Sequence, residues 1–466
     1  MPCTNHREAK QGPALCFAAD RAQQQQIGIK FLSEALLAEV RSSRGNRERV
    51  NNLTLQALAI EPMDARSLVD IGIIARDEGF RDRALAIFDS VIADGRCRQM
   101  ALYEKAILFL HEGNHKTAIA SILKAVEAEP NDARANLLAA KLLFSIGDFE
   151  RGKNCIDALD PANMPTEIHA EMRVITQLGD FLRSFPRDYV LNKCYQYELS
   201  NRWLDVNQVA ETATAALREE RGYSLIRCGD GEGAFLRISN TDETKFSHLY
   251  EFNRQNRAQV WFDGTIDIQS SGFSNAAFTL KDAILNADVV GLPYTGWLEH
   301  EYRILSPTGI SSLANLLRLP LNSVPNFCTQ QIHLELHSTK QIYNLMRSVH
   351  TIGLISCHSQ LPEMLKSKFG FLDVDYHYIP GEKGHRHLIP ESSIIGEHWP
   401  DGYERVMASL RRPLAGKLYI VAAGILGKLY CNQIKMSGGV AIDMGSIADG
   451  WVGSPTRPGL VSLQLG

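Results

Sequence analysis

The sequence predicts a two-part chain: an N-terminal α-helical repeat solenoid, then an α/β domain with a mostly parallel sheet. Three observations predict it. Glycines at 45, 79, 113 and 147 recur every 34 residues. Composition shifts midway: nine of the 35 Gly fall in residues 1–166, one in 167–220 and 25 in 221–466, and all five Trp lie after residue 200. The second half alternates short apolar runs with helical stretches broken by Gly and Pro, as α/β domains do. At 466 residues the chain has room for at least two domains.

The repeat extends beyond its glycines. Ala84, Ala118 and Gly152 each follow a repeat Gly by five positions, and Phe88, Ile122 and Ile156 follow by nine. Gly72, Ala106 and Ala140 precede it by seven. Small residues at fixed positions let two helices approach closely, and Gly turns the chain at positive φ. The period and these columns resemble the tetratricopeptide repeat. Three clear units span 65–98, 99–132 and 133–166, with a degenerate one at 31–64, so the repeat domain runs over 31–166. Residues 1–30, with Gln23 to Gln26, are expected to be disordered or weakly helical. Residues 167–220 are read as a helical connector broken near Pro186 and Asn201, whose last stretch, 206–220, docks on the following domain.

The α/β domain, 221–466, opens with Tyr223 to Cys228 as a buried strand. Gly229-Asp230-Gly231-Glu232-Gly233 follows as a loop. Read as extended chain, positions i and i+2 point the same way, so Asp230 and Glu232 are expected to face one hard cation. Near the C-terminus a βαβ unit is expected: a strand over 418–423, a turn at Gly424, a helix over 425–436 and a strand over 440–442. Further strand candidates are 259–262, 287–292, 351–356 and 374–379. Ligands of open α/β sheets bind beyond the carboxyl ends of the strands. The Asp230–Glu232 loop, the Gly424–Gly427 turn and Asp443 all stand at such ends, and are expected to meet at one site.

The segments SLIRCGDGE, ADVVGLPY and GILGKLY…GGVAIDMGSI, in that order, resemble the GT-D fold glycosyltransferases over about 221–455. The resemblance implies a Rossmann-like domain that binds a nucleotide-sugar, UDP-linked in the simplest case, with a divalent Mn²⁺ or Mg²⁺. It implies Asp230 and Glu232 as metal residues. Arg227, Gly229, Gly231, Gly424, Gly427, Lys428 and Asp443 become nucleotide-sugar-binding residues, while the general base is unassigned. A cation and positive side chains would offset the charge of the departing diphosphate. The acceptor, a protein or glycan, would be recruited by the repeats. The sequence departs from the family pattern at Cys228, at Ile425, at Ser446 where the family has His, and at Asp449, one residue later than the family's final Asp.

Two other readings stay open. The GxGxG of residues 229–233 also suits an S-adenosylmethionine methyltransferase, although the last slot of a dinucleotide fingerprint falls on Ala234 and its distant acid only loosely on Glu251. A non-catalytic repeat scaffold with a degenerate α/β domain is the other. His377, His385, His387 and His398 cluster in a loop-like stretch with Pro390, and HxH at 385–387 offers a zinc or manganese pair. A net charge of −4 supplies no basic field for nucleic acid. Nine Cys without a CxxC disfavour a disulfide framework. The N-terminus has no apolar signal region and no run reaches membrane-spanning length, so a cytoplasmic protein is expected.

Overall fold

The computed structural model describes residues 14–466 apart from 61, 263–266, 268–269, 390–396, 458–459 and 461–462. The chain divides into two compact units, Met1–Ile168 and His169–Gly466.

The first unit is four helix pairs: α1 Ala14–Ser42 with α2 Arg47–Ala59, α3 Ala65–Asp77 with α4 Arg81–Asp94, α5 Arg98–His111 with α6 His115–Ala128, and α7 Ala133–Ser145 with α8 Phe149–Asp157. Gly45, Gly79, Gly113 and Gly147 turn each pair at φ of 84°, 83°, 75° and 81°. The stop signal repeats at atomic detail. The N–H groups of Phe80, Asn114 and Asp148 donate to the carbonyls of Ala75, Phe109 and Leu143 at 2.7–3.0 Å, the six-to-one bond of a Schellman ending. The start signals are side-chain caps, with Asn46, Asp64, Asn114, Asp132 and Asp148 each accepting a backbone N–H three residues on. Ala84, Phe88, Ala106, Ala118, Ile122 and Ala140 are fully buried. A Cβ at Gly72 would lie 2.6 Å from the Phe88 ring, so that helix crossing admits no side chain.

Of the two states expected for residues 1–30, disordered or weakly helical, residues 14–30 take the helical one, as part of the continuous 29-residue helix α1. Residues 1–13 lie outside the described residues.

The second unit holds a seven-stranded sheet: β1 Tyr223–Arg227, β2 Val289–Leu292, β3 Asn326–Thr329, β4 Thr351–Ser356, β5 Asp373–Tyr378, β6 Leu418–Val421 and β7 Val440–Asp443. Among the described residues every pairing is parallel and the order is β3-β2-β1-β7-β6-β4-β5. The strands alternate between two buried faces. Leu225, Val289, Ile352, Leu354, Leu418, Ile420 and Ile442 form one core with Val209 and Ala213 of helix Val206–Arg218, Ile342 and Met346 of Gln341–Arg347, and Leu361 and Leu365 of Leu361–Phe369. Helix Leu426–Met436 lies against β1, β6 and β7 and contributes none of its side chains to that core, so it covers the other face. The helices expected between 167 and 220 are Thr166–Ser184, Arg187–Glu198 and Val206–Arg218.

Two differences from the sequence reading concern periodicity. Residues 259–262 close helix Ser247–Phe262 instead of forming a strand. Ala258 and Phe262 are buried four positions apart, a helical spacing that a four-residue window hides. Asp230 and Glu232 do not lie in extended chain but in the first turn of helix Asp230–Phe235. There Glu232 Oε2 accepts the Gly229 N–H at 2.8 Å, and acids at a helix N-terminus are favoured. Strand β3 had no counterpart among the strand candidates.

The third glycine of the GxGxG run serves packing. A Cβ on Gly233 would stand 2.1 Å from the backbone oxygen of Ser312, in helix Pro307–Arg318. Gly233→Ala should therefore destabilise the second unit by about 1–3 kcal/mol through overpacking, read as a lower thermal midpoint. An unchanged midpoint would show that the two helices separate freely.

Candidate functional site

Strands β1, β7 and β6 are neighbours, so their carboxyl ends open side by side. β1 delivers Arg227 and then the Gly229–Gly233 segment, and β7 delivers Asp443. β6 leads through Gly424, at φ 55°, into helix Leu426–Met436, whose first turn carries Lys428. The three segments meet. Lys428 Nζ stands 2.8 Å from Asp443 Oδ2 and 3.1 Å from Glu232 Oε1, and donates to the Gly424 carbonyl at 3.2 Å. Arg227 donates through Nε to the Asp443 carbonyl at 2.9 Å, and its Nη2 lies 3.6 Å from Asp443 Oδ1. Its Nη1 reaches His333 Nδ1 at 2.7 Å. All four charged residues are buried.

The electrostatics follow from burial. Desolvation alone would push the Lys428 ammonium down, but Asp443 and Glu232 outweigh it and hold its pKa above the ordinary lysine value. Desolvation would push Asp443 up, and Lys428 with Arg227 reverse that. His333 is driven well below the usual imidazole value by burial and by the Arg227 and Lys428 charges, so it is neutral and accepts from Arg227. A cation in the first turn of a helix opposes the helix dipole. The two carboxylates overcome that opposition at Lys428.

These groups floor a cavity of about 670 Å³. Arg227, Gly229, Gly231, Gly424 and Lys428 line it, as do Asp230 and Glu232, whereas Gly427 and Asp443 stand behind the surface. Gly427 packs its backbone near Val421 and Ala423. The glycines admit aromatic walls: a Cβ on Gly231 would meet the Trp261 ring at 2.5 Å, and one on Gly229 the Trp297 ring at 3.2 Å. Trp261 stacks on Phe235 and donates through Nε1 to Glu382. Asp230 pairs with Arg257 and also accepts the Gly231 N–H at 2.9 Å; burial, partly offset by Arg257, raises its pKa. Across the cavity Arg457 spans both oxygens of Glu382, at 3.1 and 2.8 Å. Burial would raise Glu382; His385 and Arg457 together lower it.

Asp230 and Glu232 thus face different cations from one helical turn and do not share a ligand direction set by an extended chain. Of the four histidines, His385 and His387 stack with ring centroids 6.3 Å apart, and the other two stand elsewhere. His385 bonds Glu382, His377 meets Ser409, and His398 turns inward to the Tyr430 hydroxyl at 3.0 Å. Pro390 lies outside the described residues. Ser446 and Asp449 line the cavity, and Asp449 Oδ1 bonds His358 Nε2 at 2.8 Å. Burial would lower His358, but the hydrogen bonds it donates to Asp449 and Cys357 outweigh it and raise its pKa to about 9. Sequence reasoning missed Trp261, Trp297, Arg257, His333, Cys357, Glu382 and Arg457 as wall residues. Cys357 stood within reach, because it follows directly on the expected 351–356 strand and the rule for strand ends applied to it equally.

Residues 109–172 match the family description "Tetratricopeptide repeat". Repeats of this kind stack into surfaces that bind other proteins, which points to a protein-interaction scaffold in the first unit. No curated protein matches the chain. Cysteines 97, 155, 194, 228, 328, 357 and 431 are free thiols. Among the described residues no helix is long and apolar enough to cross a membrane.

Two outcomes are expected. Lys428→Met leaves Glu232 and Asp443 buried without their cation and should cost about 3–5 kcal/mol, read from urea unfolding by Trp fluorescence, since all five Trp lie in the second unit. A loss under 1 kcal/mol would mean that the pairs contribute little. His398, buried and near Arg405, has its pKa lowered to about 3, against about 6.5 in unfolded chain. The unfolded state therefore takes up the proton first as pH falls below about 6.5. Stability is lost from there towards pH 3 with a slope of up to about 1.4 kcal/mol per unit. His398→Gln should remove that part of the slope, so a wild-type-minus-variant difference that stays flat from pH 7 to 4 would contradict it.

Proposed function

We propose that the second unit is a glycosyltransferase that takes a nucleotide-sugar, most simply a UDP-sugar, in the cavity above β1, β7 and β6, and that the repeats recruit a protein or glycan acceptor. The observation that carries this reading is the meeting of the Asp230–Glu232 segment and the Gly424 turn in one cavity, with Asp443 behind its floor, at the carboxyl edge of a parallel sheet. That edge is where such sheets bind nucleotides, and about 670 Å³ falls within the range of small-molecule sites. Trp261, Trp297 and Tyr294 offer flat faces to a base or sugar ring.

The chain's own groups divide into locked and exchangeable charges. Arg227 and Lys428 are committed to Asp443 and Glu232, so the floor is charge-balanced. Arg257 and Arg457 pair with Asp230 and Glu382 at half-buried positions beside the cavity. Either guanidinium could exchange its carboxylate for a diphosphate oxygen. The first turn of helix Leu426–Met436 also faces the cavity and favours an anion.

Both acids already have partners on both oxygens: Asp230 has the Gly231 N–H and Arg257, and Glu232 has the Gly229 N–H and Lys428. A hard cation fits better at Asp230, the more exposed of the two, where it would replace Arg257. A bound Mn²⁺ or Mg²⁺ would supply charge neutralisation to the leaving diphosphate.

The repeat match favours a second reading, an interaction scaffold whose α/β unit binds no donor. Titration calorimetry of the full chain with UDP-sugars, with and without Mn²⁺, separates the two. Binding strengthened at least tenfold by Mn²⁺ (about 1.4 kcal/mol) and reduced to the metal-free level in Asp230→Asn, at unchanged thermal midpoint, is expected. No heat with any nucleotide would sink the transferase reading, and Mn²⁺ dependence surviving in Asp230→Asn would remove the cation from that residue.

A further inference from the structure

The carboxyl end of β4 and the helix after β7 bring a second set of groups to the cavity wall. Cys357, His358 and Asp449 each offer one ligand atom, and these atoms all lie within 4.8 Å of one another. Among the described residues this is the group of three such side chains that comes together. Cys357 and Asp449 line the cavity and His358 is buried behind them.

The group is braced from outside. Asp449 receives a hydrogen bond from the Thr456 hydroxyl. The His358 backbone N–H donates to Ser356 Oγ at 3.2 Å, and the Ser356 carbonyl accepts the Tyr376 hydroxyl at 3.1 Å, which fixes the backbone that carries Cys357 and His358. A carboxylate ligand held by an outer partner, as Thr456 holds Asp449, keeps the orientation that a metal needs.

We propose that Cys357, His358 and Asp449 form a binding site for a borderline divalent cation of the zinc type, with its open coordination position turned to the cavity. One sulfur, one nitrogen and one oxygen suit Zn²⁺ rather than Mg²⁺ or Mn²⁺, which prefer oxygen alone. Three protein ligands plus an open position is the pattern of reactive rather than structural zinc. On a tetrahedral ion, ligand atoms stand roughly 3.3–3.8 Å apart, given metal–ligand bonds of about 2.0–2.3 Å. The His358–Asp449 contact, 2.8 Å, then opens by under about 1 Å, while Cys357 closes inward. Cys357 coordinates as thiolate, its proton passing to solvent. In the open position the ion can polarise an oxygen of whatever occupies the cavity. The site involves neither Asp230 nor Glu232 and stands whether or not the cavity takes a nucleotide-sugar.

The test uses the full chain, freed of metal by chelation and titrated with Zn²⁺ alone and with Co²⁺ as a spectroscopic stand-in. One equivalent of Zn²⁺ is expected to bind, with at least tenfold weaker binding in Cys357→Ser and in Asp449→Asn. Asp230→Asn should leave the zinc affinity unchanged. Co²⁺ should give a thiolate-to-metal charge-transfer band that Cys357→Ser abolishes, and Zn²⁺ should slow alkylation of Cys357 by iodoacetamide at least tenfold. Far-ultraviolet circular dichroism of the metal-free variants checks that each is folded. A charge-transfer band that persists in Cys357→Ser, stoichiometric zinc lost in Asp230→Asn instead, or alkylation of Cys357 at the same rate with and without Zn²⁺ would each overturn the assignment.

Discussion

The second unit depends on one shared ion pair. Lys428 leaves the first turn of a helix, against that helix's dipole, and is held between Asp443 at 2.8 Å and Glu232 at 3.1 Å. Arg227 completes the set by gripping Asp443 from β1. Two positive and two negative charges cancel in a place where any one alone would be prohibitively costly to bury. The network ties together the ends of β1, β7 and β6, and so fixes where the backbone turns after each. The cavity floor is therefore rigid for an electrostatic reason, and its shape follows from which strands are neighbours.

The walls obey a different constraint. Gly229 and Gly231 lack side chains where two indole rings press on the loop, and Gly233 lacks one where a neighbouring helix backbone crosses. A loop that looks suited to cradling phosphate is filled largely by the protein's own aromatic rings. Further charges stand beside the cavity in the half-buried pairs Asp230–Arg257 and Glu382–Arg457. On the far wall Cys357, His358 and Asp449 add a soft donor set with chemistry that the floor does not offer.

The first unit shows how a repeat is written. The same positive-φ Gly returns every 34 residues, the same Schellman bond closes three of the four pairs, Asn or Asp caps five of the eight helix starts, and the crossings keep Gly72, Ala106 and Ala140. Each device acts within six residues of chain, so the pattern survives as text. Stacking then buries the apolar stripe that a single pair cannot cover alone.

That locality divides what was readable from what was not. The sequence by itself determined three clear helix pairs and a degenerate fourth, and strands expected at 223–228, 287–292, 351–356, 374–379, 418–423 and 440–442, each within two residues of the observed bounds. Caps, glycine turns and apolar runs are properties of a few consecutive residues. It misjudged 259–262, where a short apolar run fits two periods, and passed over Asn326–Thr329, too short and half-polar to register. It read Asp230 and Glu232 as extended, because nothing local announces that Glu232 will cap its own Gly229. Only the tertiary structure decided that Lys428 stands between Glu232 and Asp443, that Trp261 and Trp297 close over the glycines, and that Cys357 and His358 meet Asp449 across 91 residues of chain. Those contacts follow from the strand order β3-β2-β1-β7-β6-β4-β5. That order reflects the free energy of the whole sheet and its helices, and no segment of the chain carries it alone.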